Sequence, residues 1–424
     1  MIVPTWLRIL CLAAVMFGPS DAFVFAEDGD AVGYTDGAPA VLSPISTWVQ
    51  PSTGETLFEE LALRPFSELR DPERGLRIEP VYYGECLTNA RGGISTAGAT
   101  QYLGLLDLAF TLDFERLSVP LPGRFFLLAQ NAHGRGLTQD YVGDTMVLSN
   151  IDAFRNLLQV GEYWWEFGLL DDDVTIRLGR QDVNHEFYFM DLARDFIQSG
   201  FTLSPNARLP SYPHQAMAAV ALVQLEESLQ FKAGVWDALA PTGGWGVSGQ
   251  GTVLINCELE YAYTLRDGGL PGRIAVGAGY LEKGEKEGVR FGAAHGYSLQ
   301  WEQWVFQEEL EAEVDDPQGW AFFAAVYPRF PSDPVPEDAI GDSFAVGVVN
   351  TGLLAQRDRD VFGVGAVWAE LNQGGTNQET AIELFYRAYL TERIALQPDL
   401  QYIVTPSGTH PDALVAGFRL QVNQ

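Results

Sequence analysis

The carboxyl-terminal end of the chain alternates between apolar and polar residues in three consecutive segments, 379–391, 394–405 and 413–423. In the first of them, Ile382 and Leu384 fall on one face, whereas Glu383 and Arg387 fall on the other. Side chains along a strand point alternately to opposite sides, so this pattern predicts strands with one apolar and one polar face. About ten residues per strand is also the length that a tilted strand needs to cross the hydrocarbon layer of a bilayer. These segments therefore predict a transmembrane β-barrel.

The same two-residue period continues upstream, and sixteen strands are predicted in all. They span 77–88, 102–116, 123–133, 160–170, 174–183, 218–227, 229–238, 251–265, 272–283, 295–310, 318–329, 343–354, 359–371, 379–391, 394–405 and 413–423. The even-numbered strands end in short turns, while most odd-numbered strands are followed by longer segments, notably 134–159, 184–217, 239–250 and 330–342. Short periplasmic turns that alternate with long outer loops are typical of an outer-membrane barrel. A soluble β-sandwich or β-helix, the alternative for the alternation, has no reason to keep this order.

The amino-terminal part predicts export. Residues 1–26 contain Arg8, an apolar run ILCLAAVMF and a cleavage site at Val24-Phe25-Ala26, which together predict a secretory signal peptide. Residues 27–71 are irregular and are interpreted as a periplasmic N-terminal segment, which leaves 72–424 for the barrel. No later stretch approaches the ~20 consecutive apolar residues of a transmembrane helix.

The charge and the motifs narrow the function. The chain has 26 basic and 56 acidic residues, a net charge of −30, which disfavours nucleic acid and anionic solutes and favours a cation or a neutral solute. We expect no enzyme, metal or cofactor, since there is no Gly-x-Ser-x-Gly motif, no zinc-ligand spacing and no Gly-rich nucleotide loop. Cys86 and Cys257 are interpreted as ordinary strand residues, with a disulfide between them left open.

Several segments carry a resemblance in their order and spacing. They are YLGLLDLAFTLDFERL, NAHGRG with YVGD and SNIDAF, RLGRQDVNHEFYF with LARDFIQSGF, and IELFYRAYLTERIALQPDLQYIVTPSG with DALVAGFRLQV. Together they resemble the carbohydrate-selective (OprB-type) porins of Gram-negative outer membranes, from about Leu69 onward. The resemblance implies a lipid-embedded pore, placed by the barrel-insertion machinery, with a homotrimer left open. Such porins end on an aromatic residue, whereas this sequence ends Val422-Asn423-Gln424.

The resemblance also implies that the 184–217 connection folds into the barrel with the 134–159 loop and forms a constriction. The predicted fold is therefore all-β, an antiparallel transmembrane barrel of about 16 strands with an inward-folded constriction loop. Sugars are recognised by aromatic ring faces and by hydrogen bonds from charged or amide groups. The candidate substrate-binding residues of the lumen and constriction are Glu162, Trp164, Glu166, Arg177, Arg194, Glu302, Trp304, Glu383, Arg387, Asp399, Gln401 and Arg419. The alternative for each is a solvated wall held by cross-strand ion pairs.

The expected function is passive, selective diffusion of monosaccharides such as glucose, or of small oligosaccharides, across the outer membrane. A general or cation-preferring diffusion porin is one alternative, and an outer-membrane barrel hydrolase or adhesin is another. The expected outward residues are Leu106, Leu108, Phe110, Ile255, Leu259 and Phe418, and the expected lumenal residues are Asp107, Asp113, Glu258, Glu260 and Arg419. We also expect a local bulge at Pro398, because proline cannot donate to the ladder of a closed barrel.

Overall fold

The computed structural model describes residues 75–202, 210–242, 244–266, 269–286, 288–308, 318–332, 335, 340–372 and 377–423. The predicted signal peptide and the N-terminal segment 27–71 lie outside the described residues and stay predictions.

The described residues are mostly in strands. They are β1 (Leu76–Arg91), β2 (Thr100–Asp113), β3 (Arg124–Gly134), β4 (Leu157–Leu169), β5 (Val174–Gln181), β6 (Ala216–Glu226), β7 (Leu229–Asp237), β8 (Val253–Leu265), β9 (Leu270–Leu281), β10 (Gly284–Lys286), β11 (Val289–Phe291), β12 (Ala294–Gln307), β13 (Gly319–Tyr327), β14 (Arg329–Pro331), β15 (Ile340–Thr351), β16 (Val361–Leu371), β17 (Gln378–Tyr389), β18 (Ile394–Val404) and β19 (Ala413–Asn423). Short helical turns lie in the connections at Thr138–Val142, Val183–His185, Asp191–Ala193, Ser199–Thr202 and Pro406–Gly408.

Sixteen of these strands form one closed antiparallel barrel. It closes where β1 pairs with β19, with Gly84 opposite Leu420. The hairpin β10–β11 is separate from the barrel sheet. The short strand β14 follows β13 and lies between β12 and β15.

The sixteen predicted strands are confirmed, with ends that agree within three residues. The connections also follow the predicted order. Short ones such as 170–173 and 227–228 share one end of the barrel, which we call the short-turn end, and long ones such as 135–156 and 182–215 share the other, the long-loop end.

The predicted faces are confirmed, because burial alternates along the strands. Leu106 and Phe418 are 41% and 45% exposed on the outer wall, whereas Asp107 and Arg419 are 2% and 6% exposed inside. The predicted bulge at Pro398 is wrong. The β18–β19 register runs through Pro398 opposite Phe418 without a shift. The β17–β18 pairing also keeps one register and omits only the pairs at Tyr386 and Arg387. Pro398 has no N–H to donate, and the omission of these pairs accommodates it without a bulge.

The inner wall differs around the barrel, which the expectation of a uniformly polar lumen did not include. Strands β13 and β15–β19, which we call the packed half, carry buried apolar side chains inside, among them Ala321, Phe323, Ala325, Ala345, Val349, Val367, Ala381, Phe385, Ile403 and Val415. Strands β2–β9 and β12, the charged half, carry buried ionic side chains inside, among them Asp107, Arg177, Lys232, Glu258 and Glu302, beside smaller apolar clusters around Trp164 and Trp236.

The packed half is covered by two connections, segment 135–156 and segment 182–202. Phe196 of the second segment contacts Phe323 and Phe385, with ring centroids 5.5 and 4.9 Å away. Gly347 and Gly363 make room for these wall rings, because a Cβ at either glycine would lie 2.3 Å from a phenylalanine ring atom. The segments and the packed half thus share one apolar core.

Candidate functional site

A cavity of about 650 Å³ lies against the charged half. It reaches the short-turn end, where Leu76 begins β1 and Arg116 follows β2. Its lining consists of Gly75, Leu76, Arg77, Thr111, Asp113, Arg116, Arg124, Phe126, Trp164, Arg177, His185, Glu186, Phe189, Asp191, Leu222, Gln230, Lys232, Glu260 and Arg273. Strands β1 to β9 therefore supply most of its wall.

The cations of this lining are paired with carboxylates. Arg177 lies 2.7 Å from Glu166 and 2.6 Å from Glu186, and Arg124 lies 2.7 Å from Glu166 on its other side. Cross-strand neighbours bring these groups together, since Glu166 stands opposite Arg124 on β3 and opposite Arg177 on β5. Buried ions persist only when they are paired in this way.

Trp164 lies beside this ion-pair group and is nearly buried. The ring of Phe126 on β3 stacks on it at 4.7 Å, and the guanidinium of Arg177 on β5 lies 4.4 Å from its centroid. Because β3 and β5 flank β4 on opposite sides, these two groups occupy the ring faces. Trp164 can therefore support the position of Arg177 through a cation–π contact, but it offers a solute little open ring surface.

A second ionic group spans β7, β8, β9 and β12. Lys232 lies 2.7 Å from Glu260, and Arg273 lies 2.9 Å from Glu260 and 3.0 Å from Glu302. Glu302 also accepts the backbone N–H of Leu192 at 2.7 Å. This group therefore connects the charged wall to segment 182–202.

Near the start of segment 182–202, the largely buried side chain of His185 pairs with a glutamate of β4. The Nδ1 atom of His185 lies 3.0 Å from Glu162. Burial lowers the pKa of His185, but the carboxylates of Glu162 and Asp182 outweigh it and raise the pKa to about 9. Asp182 accepts the backbone N–H groups of Asn184 and Tyr212, and burial raises its pKa to about 6 despite these bonds.

The predicted site residues separate into two groups in the structure. Trp164 and Arg177 line the cavity. Glu166, Glu162 and Glu302 bind the lining residues Arg177, His185 and Arg273, respectively. Arg194 belongs to neither group, because its side chain is exposed and lies 4.0 Å from Asp191.

The others face the two segments instead of the cavity. Glu383 accepts backbone N–H groups of segment 182–202, and Arg387 pairs with Asp195. Gln401 donates to the carbonyl of Leu148 and to Asp399. Arg419 binds Glu85 and Asn150, and Trp304 packs against the apolar core.

Sequence reasoning missed several residues that the geometry singles out. Arg124, Lys232 and Arg273 line the cavity. The alternation of side chains along the predicted strands is enough to place all three on the inner face. Glu379 binds segment 135–156 through Thr145 and Met146 and lies four residues before Glu383, hence on the same face.

In the ranges that the structure covers, no helix is long and apolar enough to span a membrane. Within the same ranges, no group of three His, Cys, Asp or Glu side chains is arranged to hold a metal ion. Cys86 and Cys257 are free thiols.

The chain is similar to known porins over most of its length. A family model described as carbohydrate-selective porin, OprB family, matches residues 97–423. Porin B of Pseudomonas aeruginosa is 23% identical over 455 aligned positions, which cover 94% of this chain and 96% of that protein. A high-pH structure of Pseudomonas putida OprB superimposes with a TM-score of 0.72 at 19% identity, covering 85% of this chain and 96% of that one. The low-pH structure of the same protein gives a TM-score of 0.55 at 17% identity, covering 84% and 95%.

Proposed function

Because this chain belongs to the carbohydrate-selective OprB porin family, we propose that it conducts neutral sugars, with monosaccharides such as glucose or small oligosaccharides as substrates, along the charged half of its barrel. As a member of this family it is a porin of the Gram-negative outer membrane, and its relatives are channels rather than enzymes.

The cavity beside the charged half carries this proposal. Its cations are already paired with carboxylates, so the wall offers N–H donors and carboxylate acceptors side by side with little unbalanced charge. A sugar hydroxyl donates and accepts at once, and it can bond to such a pair without needing a charge of its own. An anion would have to compete with Glu166 or Glu260 for the same guanidinium groups.

The size of the cavity agrees with a small sugar. Its volume of about 650 Å³ falls within the ~300–1,000 Å³ of sites that hold small organic ligands. Segments 135–156 and 182–202 cover the packed half. We propose that the two segments form the constriction and confine solutes to the charged half.

Single-channel conductance in planar bilayers tests the proposal. Glucose, maltose and glucuronate are titrated separately as blockers in KCl. We expect saturable block by the two neutral sugars at lower concentrations than by the charged one. Conductance that falls only with solution viscosity for all three would instead identify a general diffusion porin.

The second candidate, a cation-preferring pore, is favoured by the net charge of −30. It is separated by the reversal potential in a KCl gradient. A strong cation preference without sugar block would favour this candidate over the sugar pore.

A further inference from the structure

We propose that one inward row of β17, formed by Glu379, Glu383 and Arg387, is the docking site that fixes both segments and so sets the size of the passage. These are positioning residues. Their role deepens the proposed function, and only the measurement of glucose block depends on that function. The three residues are four positions apart, so they share a face of the strand at intervals of about 13 Å.

Glu379 holds segment 135–156. One carboxylate oxygen accepts the N–H of Met146 at 2.7 Å, and the other accepts the N–H of Thr145 at 2.7 Å. The N–H of Ser407, from the β18–β19 connection, reaches that second oxygen at 2.7 Å. Glu379 is completely buried. Its two oxygens thus bind backbone donors of two connections.

Glu383 holds segment 182–202 in the same way. Its two oxygens accept the N–H groups of Ile197 and Gln198, at 2.7 and 2.8 Å. Glu383 is also completely buried, and Asp399 lies beside it. Both oxygens therefore bond to the segment, and no face of the carboxylate is open to a passing solute.

Arg387 completes the row by its ion pair with Asp195, whose carbonyl also accepts from Gln397 at 2.7 Å. Between the polar positions stand Ala381 and Phe385, and Phe385 contacts Phe196. The face of β17 thus alternates backbone-binding groups with apolar contacts. Each polar position fixes the direction of the chain, while the apolar positions exclude water from the bonds.

The two segments are also bonded to each other, so the row acts on both together. The N–H of Asn150 donates to the carbonyl of Ile197 at 2.8 Å, and the N–H of Ser199 donates to the carbonyl of Val147 at 3.1 Å. The side chain of Asn150 donates to Phe196 at 3.1 Å. Loss of either glutamate contact should therefore loosen both segments.

The variants Glu379→Gln and Glu383→Gln test this inference in the full-length protein. An amide keeps the shape of the side chain but turns one acceptor into an NH2 group that faces a backbone N–H. Leaving a buried backbone N–H without its acceptor should shift the docked-to-undocked ratio of a segment about tenfold. We expect a larger mean ion conductance, more open-channel current noise and weaker block by glucose.

Two further variants make the test specific. Glu285→Gln removes an exposed carboxylate from the β10–β11 hairpin and should behave as the parent protein. Glu383→Asp keeps both acceptor oxygens on a shorter side chain and should change conductance and noise in the same direction but less. If the amide variants do not fold, as judged by heat-modifiable gel mobility, Glu383→Asp carries the test.

Conductance and noise equal to those of the parent in every folded variant would overturn the docking role, even in a pore that sugars block. A parent protein that no sugar blocks would instead refute the proposed function, while the conductance and noise of the variants would still decide the docking role.

Discussion

The packed half and the charged half of this barrel have the same backbone architecture but opposite interiors. In the packed half, Phe323 and Phe385 point inward over glycines and join the aromatic rings of segment 182–202. In the charged half, Arg177 and Glu166 point inward beside a cavity. The packed half is thus held against segment 182–202 mainly by apolar contacts, whereas the charged half presents ion pairs to the cavity.

The difference explains how two long segments are held against one side of the barrel wall. Apolar burial gives the two segments most of their attachment energy, and Glu379 and Glu383 give them a defined position. The ion pairs of the charged half join neighbouring strands to one another, and Arg177 and Glu302 also bind segment 182–202 through Glu186 and Leu192. Selectivity can then depend on a rigid polar wall.

The largest effect is expected from Phe385→Ala, which removes a completely buried ring between β17 and segment 182–202. Such a truncation costs about 3–5 kcal/mol in unfolding free energy. The midpoint of heat-modifiable gel mobility should fall and the ion conductance should rise. The matched control is Phe322→Ala, because Phe322 lies on the outer wall of β13. Equal effects of the two changes would contradict the packed half as a core.

A smaller effect on stability but a direct effect on sugars is expected from Arg177→Gln. It leaves Glu166 and Glu186 without their shared cation and should cost about 1–3 kcal/mol. Glucose block should weaken, and the reversal potential should move toward cations. Unchanged block would place the sugar contacts away from this group.

The pH dependence is expected to arise at the start of segment 182–202. The pKa of His185 is raised from 6.5 to about 9, so the charged pair with Glu162 contributes fully below about pH 6.5 and is lost as the pH rises through 9. Conductance noise should therefore increase between pH 7 and pH 10. His185→Gln should abolish this increase, and a variant that retains it would assign the titration to another group.

The smallest effect is expected from Arg194→Gln. Arg194 is partly exposed and lies 4.0 Å from Asp191, and such surface pairs contribute about 0.5 kcal/mol or less. Thermal stability and glucose block should both stay close to those of the parent. A clear loss of block would return Arg194 to the sugar contacts that its sequence position suggested.

The strands and their faces were predictable because the two-residue period is local and the outer wall must be apolar. The division of the inner wall into a packed half and a charged half was harder to predict from the sequence. Glu166 and Glu383 are both inward glutamates in alternating strands, yet one pairs with Arg177 at the cavity and the other binds a loop backbone 185 or more residues away. The alternation along a strand tells which side of the sheet a side chain faces. The group that it binds depends on how the connections between strands fold.

A signal for the packed half was nevertheless present. Strands β13 and β16 read GWAFFAAVY and VFGVGAVWAEL, and apart from Glu370 near the end of β16 they are apolar on both faces. A strand that is apolar on both faces is buried on both faces. In a barrel one of those faces meets lipid, so the other must meet protein inside the barrel.

Cysteine accessibility tests the central claim, that solutes pass along the charged half, most directly. In a background with Cys86→Ser and Cys257→Ser, Gln230→Cys places a thiol at the cavity, and Ala381→Cys places one inside the packed half. We predict that a bulky water-soluble thiol reagent reduces the single-channel conductance of the first variant and leaves the second unchanged. Rapid reaction at position 381 with loss of conductance, and none at position 230, would contradict it.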